Sequence, residues 1–286
     1  MHYRIGVIGD LHTHWDAFDV GQFSRSDYEL LLFTGDLGGG TPDSSRRIAR
    51  SMSQLQKPAL VMPGNNDTFD IAELAAELTH RSGLRRLSTM QRRDMPDESD
   101  IAVRLCGYSA HRLTDDVTLI AGRPHSMGGA DLSFPAHMLA AYGIDSIDAS
   151  QRRLCALIDQ TTTERLLFLS HNGPLGLGHD PHDMWGCDFK DDGGDWGDPD
   201  LSAAVEYAVG RGKRVLAVIA GHMHLRTKHG NERPWCMRRD DILYVNAARV
   251  PRIDARGSDV RYHHVELIVD RHGVSATEVF VVHRAD

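Results

Sequence analysis

Short apolar runs recur along the chain, and five of them stop directly before residues that can bind a metal ion. Each run is four to eight residues long, is rich in Val, Ile, Leu and Phe, and is followed by Gly or Pro or by polar residues. This pattern is typical of a β-strand that is buried on both faces. The five predicted strands cover residues 3–8, 28–33, 59–62, 165–169 and 214–219.

Helical patterns lie between these predicted strands. They cover residues 44–55, 71–80, 151–160 and 201–209. Strands that alternate with helices form β-α-β units and a largely parallel sheet. Because such crossovers are right-handed, we expect all five strand ends at one edge of the sheet. Ligands of open α/β sheets bind at that edge, so residues that are distant in sequence can meet in one pocket.

Further strands are predicted outside the five runs. After residue 224 we expect three strands of a second sheet, at residues 242–246, 262–269 and 275–283. The region 83–121 is the hardest to interpret, and its apolar segments predict strands at residues 101–106 and 117–120.

Residues 173–200 form a segment rich in Asp and Gly, which we expect to be a long loop beside the pocket. Its three large aromatic residues favour an ordered, packed loop: Trp185, Phe189 and Trp196. The segment could act as a lid or hold an extra cation through His179, His182 and Asp183, and a solvated loop rich in turns is the equal alternative.

Composition narrows the class of protein. The chain has 286 residues and a formal net charge of −8, with 32 Lys plus Arg against 40 Asp plus Glu, which argues against a nucleic-acid polymer as partner. The four cysteines have no C-x-x-C spacing and favour a reduced, cytoplasmic setting. The chain lacks a signal-peptide layout and a bilayer-length apolar segment, so we expect no membrane partner. The sequence leaves the oligomeric state open. Because one site draws residues from five strand ends, we expect a single domain over residues 1–286.

Metal-binding residue types follow each of the five strands. They are Asp10, His12, Asp36, Asn65, His171, His222 and His224. Carboxylate, imidazole and amide ligands together suit Mn²⁺, Fe or Zn²⁺ better than an ion that prefers thiolates. Each residue alone is better explained as a cap, a turn residue or a hydrogen-bonded histidine. The ordered set favours a metal site.

This set of motifs, Asp-x-His, Gly-Asp, Gly-Asn-x-Asp, His and Gly-His-x-His, resembles the calcineurin-like metallophosphoesterase superfamily over most of the chain. The resemblance implies an α/β fold, a four-layer α-β-β-α sandwich of two mixed sheets flanked by helices. It also implies two divalent metal ions that share one Asp. By motif, the first ion is expected on Asp10, His12, Asp36 and His224, and the second on Asp36, Asn65, His171 and His222.

The resemblance further implies a metal-dependent phosphoesterase that hydrolyses a phosphodiester or a small phosphomonoester through a hydroxide bridging the two ions. Two ions about 3.5–4 Å apart can clamp a phosphoryl group and lower the pKa of water. We expect Mn²⁺, with Fe or Zn²⁺ as alternatives, and a small phosphate ester as substrate. The alternative is a catalytically weak or inactive binding scaffold, because some members of the superfamily are assembly subunits. The presence of all seven ligands favours the enzyme.

One position departs from the family pattern. The third motif usually reads Gly-Asn-His-Asp, with its His near the leaving group, whereas this chain has Asn66 there, followed by Asp67. An amide donates a hydrogen bond but cannot deliver a proton as an imidazolium can. We therefore predict weak catalysis on alkoxide leaving groups and better catalysis on acidic ones, with Asn66 and Asp67 as catalytic candidates.

Other residues near the motifs could assist catalysis. His14 and His125 could replace the missing acid, although a surface histidine is the simpler interpretation of each. Arg123 could contact a phosphate oxygen through its planar fork, and Arg249 is a weaker candidate for the same contact.

Overall fold

The computed structural model describes residues 2–67, 103–191 and 193–284, and its strands form two sheets. The described strands are, in chain order, β1 (Tyr3–Ile8), β2 (Leu30–Phe33), β3 (Ala59–Val61), β4 (Val103–Leu105), β5 (Ser109–Arg112), β6 (Val117–Ala121), β7 (Arg165–Leu169), β8 (Arg214–Ala220), β9 (Cys236–Arg239), β10 (Ile242–Asn246), β11 (Ile253–Arg256), β12 (Asp259–Val269) and β13 (Val274–Arg284). The described helices are α1 (Ala17–Ser24), α2 (Pro42–Met52), α3 (Pro135–Tyr142), α4 (Ile147–Gln160) and α5 (Pro199–Gly210).

The first sheet combines strands from the two ends of the described chain. Its order is β11-β12-β1-β2-β3-β4, and β13 also pairs with β12. Strands β1 to β4 are parallel, whereas β12 runs antiparallel to β1. The carboxyl ends of β1, β2 and β3 therefore lie at the same edge of this sheet.

The second sheet has the order β5-β6-β7-β8-β10-β9. Its four central strands are parallel, and β5 and β9 pair with them in the antiparallel direction. The carboxyl ends of β7 and β8 carry the later site motifs. Both sheets are mixed, as the resemblance implies.

Three hydrophobic clusters separate the layers. The first lies between the sheets and joins residues such as Val7 and Leu32 to Leu167 and Ile219. The second packs α4 and α5 on the outer face of the second sheet, and the third packs α1 and α2 on the outer face of the first. The α-β-β-α order of layers is confirmed. Within the described part of the chain, no helix has the length and apolar character needed to cross a membrane.

Local sequence signals explain where the helices begin. The Asp16 carboxylate accepts from the backbone N–H of Asp19, and the Asp19 carboxylate accepts in return from the N–H of Asp16, so α1 starts at a capping box. Thr41 caps α2, whose first residue is a proline, and Ser146 caps α4. Sequence analysis missed α1 because it has only eight residues.

The predicted assignment of strands to sheets needs two corrections. The five site-bearing strands do not share one sheet, because β1 to β3 lie in the first and β7 and β8 in the second. Strand β10 pairs with β8, while β12 and β13 extend the first sheet from β1, so these three strands do not form a sheet of their own. An apolar run indicates that a strand is buried, but it does not indicate which strands pair with it. The helix predicted at residues 71–80 lies outside the described residues, as do residues 101 and 102 of the strand predicted at 101–106.

Candidate metal centre

The predicted ligands meet where the carboxyl edges of the two sheets adjoin. One group of ligand atoms comes from Asp10, His12 and His224, and a second comes from Asp10, Asp36 and His171. Within each group the atoms all lie within 4.8 Å of one another. Residues up to 214 positions apart in sequence therefore form one cluster, and no other such group occurs in the described ranges.

Asp36 lies between two sets of histidines. Its Oδ2 is 3.5 Å from His12 Nε2, and its Oδ1 is 3.6 Å from His171 Nε2. On one side, His12 Nε2 and His224 Nε2 are 3.0 Å apart. A carboxylate has two oxygens to share, so Asp36 has the placement that a bridging ligand needs.

Asn65 completes the other side of the cluster. Its Oδ1 lies 2.9 Å from His171 Nε2 and 3.0 Å from His222 Nδ1. The seven predicted ligands are thus brought together in one cluster, and Asp10 belongs to both groups of neighbouring ligand atoms. Their division into the two expected sets stays a prediction, as does their role as metal ligands.

The backbone around the cluster is strained and tightly packed. His12, Asp36 and His222 have φ values of 41°, 49° and 66°, in the left-handed region that non-glycine residues rarely adopt. Such strain concentrates at functional sites. Gly64 leaves room for the site, because a Cβ there would lie 2.2 Å from Asp36 Oδ1.

Hydrogen bonds behind the ligands fix their orientation. His171 Nδ1 donates to the Thr34 carbonyl at 2.7 Å, which fixes the ring orientation and turns Nε2 towards the cluster. Asp10 accepts from Thr34 Oγ1 at 3.0 Å and from the His222 N–H at 2.9 Å. Arg233 donates to the His224 carbonyl at 2.7 Å. Thr34 and Arg233 are supports that sequence analysis missed, because neither belongs to a motif. Thr34 also contacts residues 24 and 137 positions away.

The electrostatics of the cluster suit metal binding. Burial lowers the pKa of His222 to about 3 and that of His224 to about 4, so both imidazoles are neutral at neutral pH. Burial raises the pKa of Asp10 to about 7. Burial has the same effect on Asp36, but His171 and the Asn66 N–H outweigh it and hold its pKa below the usual range. Neutral imidazoles and an ionised central carboxylate are the forms that bind a divalent cation.

Asn66 contacts the central carboxylate twice. Its backbone N–H donates to Asp36 Oδ1 at 2.9 Å, and its side-chain Nδ2 donates to Asp36 Oδ2 at 2.7 Å. Asn66 therefore positions Asp36.

Asp67 has a structural environment. Its carboxylate accepts from the N–H of Leu37 at 3.1 Å, from the N–H of Gly64 at 3.0 Å and from Ser45 Oγ at 3.0 Å. It is buried, and this burial raises its pKa to about 6. It ties together the loops that follow β2 and β3, so its placement makes it a positioning residue and does not support the expected catalytic role.

The two histidines considered as replacement acids are also held by the protein. His14 Nδ1 is 3.2 Å from the Leu11 carbonyl. His125 is buried, its Nδ1 donates to the Gly64 carbonyl at 2.9 Å, and its Nε2 is 3.2 Å from the Tyr142 hydroxyl. Burial lowers the pKa of His125 to about 3, so it is a neutral imidazole at neutral pH and its one N–H is engaged with Gly64. Its contact with Gly64 makes it a support of the third motif.

Arg123 is fully buried, and its guanidinium pairs with Asp198 Oδ1 at 2.8 Å and Asp200 Oδ2 at 3.0 Å. The expected contact with a phosphate oxygen is not supported, because the guanidinium is fully buried and is paired with two carboxylates of the core. Arg249 pairs with Glu232 and Glu278, each at 2.8 Å. Sequence analysis missed these pairings because the acidic partners lie far along the chain.

The Asp- and Gly-rich segment is an ordered loop, as its aromatic residues predict. Trp185 is buried, and its Nε1 donates to the Gly221 carbonyl at 3.3 Å. Trp196 Nε1 donates to the Met127 carbonyl at 2.6 Å. Asp183 accepts from the Asp180 N–H, the contact of a turn. The described part of the loop brings no group of metal-ligating side chains together, so the structure favours the turn over the extra cation site.

Comparisons with known proteins agree with this geometry. The family model for calcineurin-like phosphoesterase matches residues 3–226. No curated protein matches the chain. Among solved structures, one crystal structure has a TM-score of 0.56 at 10% identity and covers 97% of this chain and 99% of that chain. That of Chaetomium thermophilum Vps29 covers 99% of this chain and 96% of its own at 10% identity, with a TM-score of 0.26. The likeness with a TM-score of 0.56 concerns the fold alone. The family match spans well over half of the sequence, and the chain therefore belongs to the calcineurin-like phosphoesterase family.

Proposed function

We propose that the protein hydrolyses phosphate esters, either a phosphodiester or a small phosphomonoester, with two divalent metal ions. The observation that carries the proposal is the position of Asp36, with one oxygen facing His12 at 3.5 Å and the other facing His171 at 3.6 Å. A bridging carboxylate between two sets of nitrogen and oxygen donors is suited to a pair of ions. A cytoplasmic location is part of the same proposal.

The donor set fits the metals expected from the sequence. Asp10, His12, Asp36 and His224 would hold one ion, and Asp36, Asn65, His171 and His222 the other. Imidazole and carboxylate donors suit Mn²⁺, with Fe or Zn²⁺ as alternatives. Bound there, two divalent ions supply charge neutralisation on the phosphoryl group and lower the pKa of water.

The residues of the chain itself orient and expose this centre. The His171–Thr34 hydrogen bond fixes one imidazole, and Asn66 holds both oxygens of Asp36. The His224 side chain is 40% exposed, whereas Asp10 is fully buried, so the centre opens on the His224 side. A substrate would approach from this side.

The nature of residue 66 bears on the leaving group. Asn66 offers no proton, and the nearby His125 is neutral and engaged with Gly64. The leaving oxygen must therefore depart with little help from a general acid. We expect the logarithm of the hydrolysis rate to fall steeply with the pKa of the leaving group, and a shallow slope over a series of aryl and alkyl esters would contradict this.

The proposal is tested by metal content and hydrolysis together. Bis-p-nitrophenyl phosphate and p-nitrophenyl phosphate are offered to the wild-type chain and to Asp36→Asn, with and without Mn²⁺. We expect two bound ions and turnover in the wild type, and loss of both in the variant. The matched control is Asp115→Asn, which removes a fully exposed carboxylate and should change neither. Tight metal binding without turnover of either ester would refute the enzyme and favour the binding scaffold.

A further inference from the structure

A cavity of about 410 Å³ adjoins the metal centre, and His222 and His224 line it from that side. This volume falls in the range of about 300–1,000 Å³ that is typical of small-molecule sites. The rest of its wall includes Phe189, Trp196 and Lys190. The cavity is therefore open to the part of a substrate that extends away from the reacting phosphate.

Three cations that line this cavity have no acidic partner among the described residues. Lys190, Arg226 and Lys228 have no carboxylate within ion-pair distance in the described ranges, although the chain carries a net charge of −8. The one carboxylate of the cavity wall, that of Asp188, is already bound by Arg233 at 2.9 Å and by the backbone N–H of Lys228 at 2.6 Å. The free cations favour an anionic ligand, and the planar guanidinium suits a phosphate.

Aromatic rings lie directly beside these cations. Lys190 Nζ is 3.9 Å from the centroid of the Trp196 ring, and Lys228 Nζ is 5.5 Å from that of Phe189. The two rings meet edge to face at 5.2 Å, which fixes the orientation of Phe189. Phe189 is nevertheless 40% exposed, so its surface is available to stack on a ligand.

We propose that this cavity binds the non-reacting part of the substrate, and that this part carries an aromatic ring and a second phosphate group, as in nucleotides with two or more phosphates. Phe189 stacks on the ring, while Lys190, Arg226 and Lys228 bind the second phosphate. The inference rests on the proposed function, because it takes the metal centre to hold the reacting phosphate.

Two probes separate the contributions of charge and ring. Isothermal titration calorimetry of the metal-loaded protein with α,β-methylene-ADP measures an affinity to which charge and ring both contribute. Titration with methylenediphosphonate, which lacks the ring, measures an affinity to which only charge contributes. The Mn²⁺ concentration is kept equal in cell and syringe. Lys190→Ala/Lys228→Ala should weaken both probes by about tenfold or more. Phe189→Ala should weaken only α,β-methylene-ADP, by at least about fivefold, because base stacking on an aromatic side chain is lost.

The matched control is Lys57→Ala/Arg271→Ala, which removes two positive charges away from the cavity and should leave both affinities unchanged. Bound metal and melting temperature verify that each variant is folded. The inference is overturned if the double lysine variant binds both probes as tightly as the control, or if Phe189→Ala fails to discriminate between them. Hydrolysis of p-nitrophenyl phosphate is recorded on the same wild-type sample. If the wild type does not hydrolyse this ester, the proposed function is wrong, and the affinities for the two probes still test the cavity. If the wild type hydrolyses it but the variants bind the probes as tightly as the control, only the proposal for the cavity is wrong.

Discussion

Replacing Arg123 with Met should destabilise the protein strongly without weakening its substrate affinity. Arg123 is fully buried between Asp198 and Asp200, at 2.8 and 3.0 Å. Removing one partner of a buried ion pair leaves an uncompensated charge and costs about 3–5 kcal/mol. A domain has about 5–15 kcal/mol of stability in total, so the loss is readily measured as a change in the free energy of unfolding in urea.

The dependence of this loss on pH provides a second check. Burial raises the pKa of Asp198 to about 6 even though Arg123 opposes it. Without Arg123 the folded-state pKa rises further, so between pH 7.5 and 5.5 the folded variant takes up a proton that the unfolded chain does not. Such a carboxyl stabilises the fold increasingly as pH falls. One pKa unit corresponds to about 1.4 kcal/mol. The difference in the free energy of unfolding between variant and wild type should therefore shrink by roughly 2 kcal/mol over this range.

Both proteins are unfolded in the presence of a chelator, so that loss of metal at the lower pH does not contribute. Arg271→Met, at an exposed position, is the matched control and should stay within about 0.5 kcal/mol of wild type. The reasoning is refuted if Arg123→Met costs less than about 1 kcal/mol at pH 7.5, below the range for a buried pair. It is refuted equally if KM for phosphate esters rises while stability is retained, since that is the behaviour of a phosphate contact.

Three further predictions concern other positions. Asn66→His should supply the missing proton donor and raise turnover of alkyl phosphate esters by about tenfold or more, and an unchanged slope against leaving-group pKa would contradict this. Gly64→Ala should lower metal content measured by mass spectrometry, because its Cβ would lie 2.2 Å from Asp36 Oδ1; full occupancy would show that the loop can shift. Burial lowers the pKa of His264 to about 3, so its contribution to stability is present above about pH 6.5 and declines as pH falls towards 3. The free energy of unfolding is measured in urea with a chelator present, and between pH 7 and 5 it should fall by roughly 2 kcal/mol less in His264→Gln than in wild type. The same dependence on pH in both proteins would contradict this.

The sequence predicted the position of the candidate site better than the sheets around it. Five apolar runs end before Asp, Asn or His, and the end of such a run depends only on local sequence. Strands β1 and β7 accordingly have the predicted bounds. The pairing of β1 with β12 joins residues more than 250 positions apart, and no local pattern reports such a contact. Strand β5 was missed because it lies at a sheet edge, where half-buried and exposed positions alternate and no apolar run forms.

Proximity to a motif was a poor guide to the role of individual side chains. Asp67 and Arg123 were considered catalytic candidates because they lie in or near motifs, yet both side chains are buried and bound to structural partners. The partners of Arg123 are about 75 residues downstream, so the pairing could be recognised only in three dimensions. The metal ligands were easier to identify, since their spacing is a pattern of several residues.

The pairing of β1 with β12 also sets an order of events during synthesis. Asp10 follows β1, which is made before the rest of the first sheet; one of its two neighbours, β2, follows soon after, whereas the other, β12, is made more than 250 residues later. Contacts that are so distant in sequence form slowly, and the exposed edge of β1 must meanwhile avoid pairing with other chains. His222 and His224 are also synthesised late. Metal capture by the nascent chain is therefore expected to come late, as a marker that both sheets have assembled.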